Sequence, residues 1–204
     1  MLTLYFHPGA CSLAAHIALE WIGEPYATKE VEFGDKNYLA TNPAGAVPAL
    51  DDDGWILTQD AAILRHLARK FPQAGLAIDG GSREEAEADR WSSFITGDLH
   101  PAFFPLFVPT RYTRSREHSA LEDVREAAKA QVRRKFALLE GHLAGRRWFL
   151  SDKRSYLDAY IFPMARWAAN MLPDGLAEYP GVKAHHDMMG ADEAVKRVLA
   201  AEDS

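Results

Sequence analysis

The chain has one cysteine, and its neighbours make it the first candidate for chemistry. Cys11 stands in Pro8-Gly9-Ala10-Cys11-Ser12-Leu13-Ala14. A short apolar run, Leu2–Phe6, precedes it, and Leu13, Ile17 and Trp21 follow at a spacing of four. That pattern reads as a strand, a turn closed by Pro8-Gly9, and a helix whose first residues adjoin the thiol. Backbone N–H groups at a helix start lack internal partners and the dipole there favours negative charge, so the position predicts a stabilised thiolate and a lowered pKa. A dithiol oxidoreductase needs a second cysteine where Ala14 stands. Cys11 therefore has no local disulfide to close, and its oxidised partner is an external thiol. The plain alternative is a small buried residue, as free cysteines often are.

Three further pairs have chemical spacing. Gln59-Asp60 precedes an apolar-periodic stretch, so a helix start there suits a carboxylate ligand, with Asp60 free to meet an ammonium group or simply to cap the helix. Ser155-x-x-Asp158 has the form of a capping box, a folding signal for the helix that follows. His185-His186 has no cysteine or acid cluster beside it, and the eight histidines are scattered, so no metal site is expected.

The elements that must position these residues follow from periodicity. Strands are expected at Leu2–Phe6, Tyr26–Phe33, Val47–Asp51 and Trp55–Leu57, the last two joined by the hairpin dipeptide Asp53-Gly54. Helices are expected at Ser12–Ile22, with Ser12 capping and Gly23 ending it, and at Ala61–Phe71, stopped by Pro72. The order β-α-β, β-β-α with a right-handed crossover is thioredoxin-like, an α/β arrangement. In such a fold the proline of Val47-Pro48 is expected to be cis and to turn Val47 towards an extended peptide ligand; a rigid turn is the alternative. The cysteinyl unit of glutathione, the abundant cytoplasmic thiol, is such a ligand. Composition shifts between Phe71 and Glu84, where a linker is expected. Residues 1–73 are expected to form the glutathione-binding domain and 84–204 an all-α domain, with helices near 83–107, 117–143, 155–171, 180–189 and 191–201 and bends at Pro101, Pro105 and Pro109.

At this point the motifs resemble a family. Pro8-Gly9-Ala10-Cys11-Ser12, Asn42-Pro43-x-Gly45-x-Val47-Pro48, Leu57-Thr58-Gln59-x-x-Ala62-Ile63, Asp98-Leu99-His100-Pro101-x-Phe103 and Ser155-x-x-Asp158-Ala159-Tyr160 resemble the cytosolic glutathione transferases, the bacterial beta class in particular. The resemblance covers nearly the whole chain. It implies a homodimer that binds glutathione along the first domain and a small hydrophobic electrophile in the cleft between domains, as in detoxification. It implies glutathione contacts at Ala10, Cys11, Val47, Pro48, Gln59 and Asp60, with Lys36 at the glycine end, and no resident cofactor. Cys11, Ser12 and His100 become the catalytic candidates, able to ionise the glutathione thiol or to form a mixed disulfide for disulfide reduction. Phe103, Phe104, Phe107, Tyr112 and Trp167 become the electrophile pocket. Four residues depart from the family pattern: Asp60 stands where serine or glycine is common, Ala44 and Ala46 replace a lysine and a glutamine, and Ser93 stands where an asparagine is common.

Composition limits the remaining classes. A net charge of -6 disfavours nucleic acid and anionic membranes, and Arg133-Arg134-Lys135 and Arg146-Arg147 form no continuous basic stripe. No segment approaches the roughly 18 apolar residues of a membrane helix, and no leader is visible. One cysteine suits a reducing cytoplasm. Two competing readings are an interaction or regulatory protein of the same architecture that has lost glutathione binding, and an isomerase of the related class that opens with Ser-Ser-Cys, a motif absent here.

Overall fold

The computed structural model describes residues 1–78 and 80–203. Asp79, inside the expected linker, and Ser204, at the end of the expected second domain, lie outside them. The first part is a four-stranded sheet of order β2-β1-β3-β4, made of β1 (Leu2–Phe6), β2 (Tyr26–Glu30), β3 (Ala49–Asp52) and β4 (Trp55–Thr58). β1 pairs parallel with β2 and antiparallel with β3, and β3 pairs antiparallel with β4. Helices α1 (Leu13–Ile22) and α2 (Asp60–Lys70) complete the expected βαβ-ββα order.

Period-two alternation sorts the side chains of the sheet. Leu2, Leu4, Phe6 and Leu50 enter the main core, while Tyr5 and Ala49 face a smaller cluster with Val31, Tyr38 and Val47. β2 ends at Glu30, three residues short of the expected Phe33. Its register pairs Glu30 with Phe6, and Val31 N–H donates to the Phe6 carbonyl at 2.8 Å. Beyond Phe6 the partner strand turns at Pro8-Gly9, so Phe33 has nothing to pair with and is 61% exposed. β3 likewise starts two residues after the expected Val47, because Pro48 has no N–H to give the ladder. The tight turn requires positive φ at both central residues, and Asp53 (53°) and Gly54 (93°) supply it.

The rest of the described chain is helical: α3 (Ser82–Phe94), α4 (His100–Phe107), α5 (His118–Leu143), α6 (Tyr156–Met171), α7 (Pro180–Ala191) and α8 (Glu193–Glu202). The bent helix expected over 83–107 is α3 and α4 joined by a π turn at Ile95–Leu99. α6 is buried on nearly every side from Tyr156 to Ala165 and packs on α1, α2 and α7. Its capping box is present: Asp158 Oδ2 accepts from Ser155 N–H at 2.8 Å and from Ser155 Oγ at 2.9 Å. Asp158 Oδ1 accepts from Phe149 N–H and from His185 Nε2, both at 2.8 Å. One carboxylate thus ties the helix start to a loop and to α7, which gives His185 a structural role.

The junction between sheet and helices is packed. Leu76 is fully buried and its carbonyl accepts Tyr156 N–H at 3.0 Å. Trp21 Nε1 donates to Asp192 Oδ1 at 3.1 Å, the same carboxylate that caps α8, and the Arg154 guanidinium lies 4.5 Å from the Trp21 ring. Among the described residues no helix is long and apolar enough to cross a membrane, and no cluster of three or more His, Cys, Asp or Glu is spaced to hold a metal.

Candidate active site

The turn from β1 into α1 is built from backbone. Gly9 adopts φ +72°, a conformation that disfavours other residues, and Ala10 N–H donates to the His7 carbonyl at 3.0 Å. Ser12 does not cap α1. It is fully buried; its hydroxyl donates to the His7 carbonyl at 3.3 Å and accepts from His7 N–H at 3.2 Å, cinching the turn from within. The helical side then holds Gly9 from both ends. Gly9 N–H donates to Glu202 Oε2 at 3.3 Å, and the Gly9 carbonyl accepts Trp167 Nε1 at 2.8 Å. The other oxygen of Glu202 meets His16 Nδ1 at 2.9 Å, so α8 joins the turn to α1.

This turn puts Cys11 on the floor of a cleft of about 660 Å³ between sheet and helices. Its sulfur donates to the Val47 carbonyl at 3.3 Å, and the Val47–Pro48 peptide is cis, as expected. His7, Phe33, Gly34, Gly45 and Ala46 line the sheet side; His100, Phe104, Phe107, Arg111, Tyr112 and Trp167 line the helical side. The His100 ring lies 4.9 Å from Phe104 and 5.2 Å from Trp167, and burial among these aromatics lowers its pKa to about 4. His100 is therefore a neutral imidazole at physiological pH, able to give or take one hydrogen bond at each nitrogen.

The charge state expected for Cys11 is reversed. Burial pushes the thiol well above its ordinary value, and the adjacent Asp60 carboxyl adds to this; the N–H groups of Cys11 and Ser12 pull the other way and lose. The start of α1 does stabilise a thiolate, but Cys11 is only 7% exposed, and loss of solvation outweighs a partial helix charge.

The sequence-predicted residues divide accordingly. Ala10, Cys11, Val47, His100, Phe104, Phe107, Tyr112 and Trp167 converge on the cleft. Phe103 does not: it is fully buried against Phe136 and Trp167, a core residue behind the wall. Pro48 and Ser12 are buried supports, and Lys36 is an exposed loop residue outside the lining. Gln59 is exposed at φ 75°, ψ 117°, an unfavourable conformation for a residue with a Cβ. Its side chain makes no cap hydrogen bond, and Asp60 begins α2 with its own side chain buried. Asp60, expected to pair with a ligand ammonium, is 6% exposed and interacts with the Cys11 thiol. Sequence reasoning missed His7, Phe33, Gly34, Arg111 and Glu202; Phe33 next to Gly34, an aromatic just past a strand end, was the available signal, whereas nothing local marks Glu202.

Comparison with known proteins accords with this geometry. Residues 1–69 match the family model "Glutathione S-transferase, N-terminal domain" and residues 122–187 match "Glutathione S-transferase, C-terminal domain". The chain is 41% identical over 202 residues, 98% of each protein, to glutathione S-transferase GST-4.5 of Xanthomonas campestris pv. campestris. A glutathione-S-transferase from Xylella fastidiosa superposes with a TM-score of 0.91 at 34% identity, covering 100% of this chain and 99% of that one. A sphingomonad glutathione S-transferase complexed with glutathione superposes with a TM-score of 0.85 at 33% identity over 98% of both chains. With its thioredoxin-like sheet, its helical half and the cleft between them, and with a bacterial beta-class enzyme among its structural neighbours, the chain belongs to the glutathione S-transferase family.

Proposed function

We propose that this enzyme joins the sulfur of glutathione to small apolar electrophiles, and that Cys11 also exchanges with glutathione to reduce disulfides. The observation that supports this most is the position of the Cys11 sulfur, on the cleft floor between the backbone of Val47 and a wall of aromatic side chains. An extended cysteinyl peptide laid against Val47 brings its own sulfur beside Cys11 and below His100. The γ-glutamyl carboxylate then reaches Gln59 and the backbone N–H groups at the start of α2, where anions are favoured. Lys36 serves the glycine end. The aromatic wall of Phe104, Phe107, Tyr112 and Trp167 takes the electrophile and excludes water from the nucleophile.

The neutral His100 ring contributes a hydrogen bond to the glutathione sulfur. Each unit by which the thiol pKa falls near neutrality is worth about 1.4 kcal/mol of ionisation. Ser12 acts by holding the turn that carries Cys11. The reducing cytoplasm and a homodimeric working form belong to the same reading, supported by the single thiol and by the family.

Two assays test it. Calorimetric titration with glutathione checks binding, and the absence of any heat or thermal shift at millimolar ligand would return the chain to an interaction protein. Intact mass after incubation with glutathione disulfide checks Cys11: one added glutathionyl group, absent in Cys11→Ala, is expected.

A further inference from the structure

Beneath the cleft lies a carboxyl group that the reading above does not use. Asp60 is 6% exposed, and its Oδ1 is fully buried with no hydrogen-bond partner among the described residues. Such an atom loses its solvation with nothing in return if it stays unpaired, so a buried orphan carboxyl at a reactive centre calls for a role. Its surroundings are specific. The Cys11 thiol, which donates to the Val47 carbonyl at 3.3 Å, interacts electrostatically with this carboxyl from the turn before α1. Tyr160 approaches from α6, but its hydroxyl is held by Thr96 Oγ1 at 2.7 Å. Asp60 heads its own helix, so the first N–H groups of α2 lie behind it. Cys11 and Tyr160 are the titratable groups facing it, and neither carries a positive charge.

We infer that Asp60 is the proton partner of Cys11, taking the thiol proton when the sulfur attacks a disulfide and returning it when the sulfur leaves one. The inference rests on thiol–disulfide exchange at Cys11 as proposed above. A buried sulfur cannot be released cheaply as a bare thiolate, because its charge has lost its water. An adjacent carboxylic acid removes that cost.

The steps balance. In the charging step the Asp60 carboxylate takes the Cys11 proton and the sulfur attacks the glutathione sulfur of a mixed disulfide between glutathione and a second thiol. The S–S bond of that disulfide breaks, a Cys11–glutathione disulfide forms, and the second thiol leaves as its thiolate to be protonated by water. In the discharging step a second glutathione thiolate attacks the glutathione sulfur of the mixed disulfide, glutathione disulfide departs, and the Cys11 sulfur regains its proton from Asp60. Burial places the Asp60 carboxyl near a pKa of about 8, so the acid is the majority form at neutral pH and the base is within reach.

The test uses a cap that needs no glutathione site. Cys11, the sole thiol, is converted to its methyl disulfide with methyl methanethiolsulfonate, and release by dithiothreitol is followed by intact mass between pH 6 and 10 in the wild type and in Asp60→Asn. For the wild type, the release rate divided by the dithiothreitol thiolate concentration should fall as pH rises through about 8, where Asp60 loses its proton. Asp60→Asn should release about a hundredfold more slowly at pH 7 and lose that fall, in line with the smaller contributions of general acids. A wild-type rate that tracks dithiothreitol ionisation alone overturns the inference, and this readout requires no variant. Equal or faster release from folded Asp60→Asn overturns it, as does a Cys11 that refuses the methyl cap. If glutathione disulfide fails to charge Cys11 while the methyl cap behaves as expected, the glutathione reading fails and the role of Asp60 stands.

Discussion

Replacing Asp158 by alanine removes the acceptor for four hydrogen bonds in one fully buried place: Phe149 N–H, Ser155 N–H, Ser155 Oγ and His185 Nε2. Each donor then loses a charged partner where water cannot follow. A hydrogen bond to a charged group contributes about 1.5–3 kcal/mol, so a naive sum reaches about 6–12 kcal/mol. The bonds share one group and the loop at Phe149 can relax, so that sum is an upper bound. Breaking a buried charged network costs about 3–5 kcal/mol in comparable cases, and a loss of about 4 kcal/mol is expected. With a urea slope near 2 kcal/mol/M, the unfolding midpoint should fall by about 2 M. Asp158→Asn should cost nearly as much, because its amide nitrogen turns donors towards donors. Ser155→Ala should cost about 1 kcal/mol, an ordinary cap loss. Urea titration followed by circular dichroism reads all three, and glutathione binding by the folded fraction should be unchanged. A loss below about 1 kcal/mol for Asp158→Ala would refute the premise that these donors have no other partner.

Trp167→Phe removes the hydrogen bond to Gly9 but keeps a ring against His100 and Phe107. A loss of about 1 kcal/mol in holding the Cys11 turn predicts roughly fivefold weaker glutathione binding by calorimetry, with little change in thermal midpoint. His100 should give an acid-side signature: its pKa is about 4 in the fold and higher unfolded, so the unfolded chain binds the proton first and stability falls as pH drops from about 6.5 to about 4. That slope amounts to about 2 kcal/mol once partial exposure is allowed for, and denaturation of His100→Phe across this range should lack it. Asp60 should give the opposite signature: the fold keeps its proton up to about pH 8 while the unfolded chain loses it near 4, so the wild type loses stability as pH rises across that window. The stability of Asp60→Asn relative to the wild type should climb by a few kcal/mol from pH 4 to pH 8 and then level off; a constant difference would show that the carboxyl is ionised throughout.

Local signals carried much of this molecule. The alternation in Leu2–Phe6, the Asp53-Gly54 turn, the spacing of Leu13, Ile17 and Trp21, and the Ser155-x-x-Asp158 cap are short-range rules, satisfied by neighbouring backbone whatever the rest of the chain does. They yielded the order of elements, and the cysteine turn with Val47-Pro48 yielded the floor of the cleft. Tertiary structure decided what depends on burial and on distant partners. Phe103 and Phe107 are both aromatics of α4, yet only Phe107 reaches the cleft, because the rotation of that helix is set by packing on α5 and on the Trp167 ring. Ser12 looked like a cap and became an internal tie for the turn. Glu202 and Trp167 grip Gly9 from far along the chain, a relation that no local pattern encodes. The thiol of Cys11 is the sharpest case: position at a helix start is readable from residue order and favours the anion, but the loss of water around the sulfur and the carboxyl of Asp60 beside it exist only after folding, and desolvation of a charge outweighs a partial dipole.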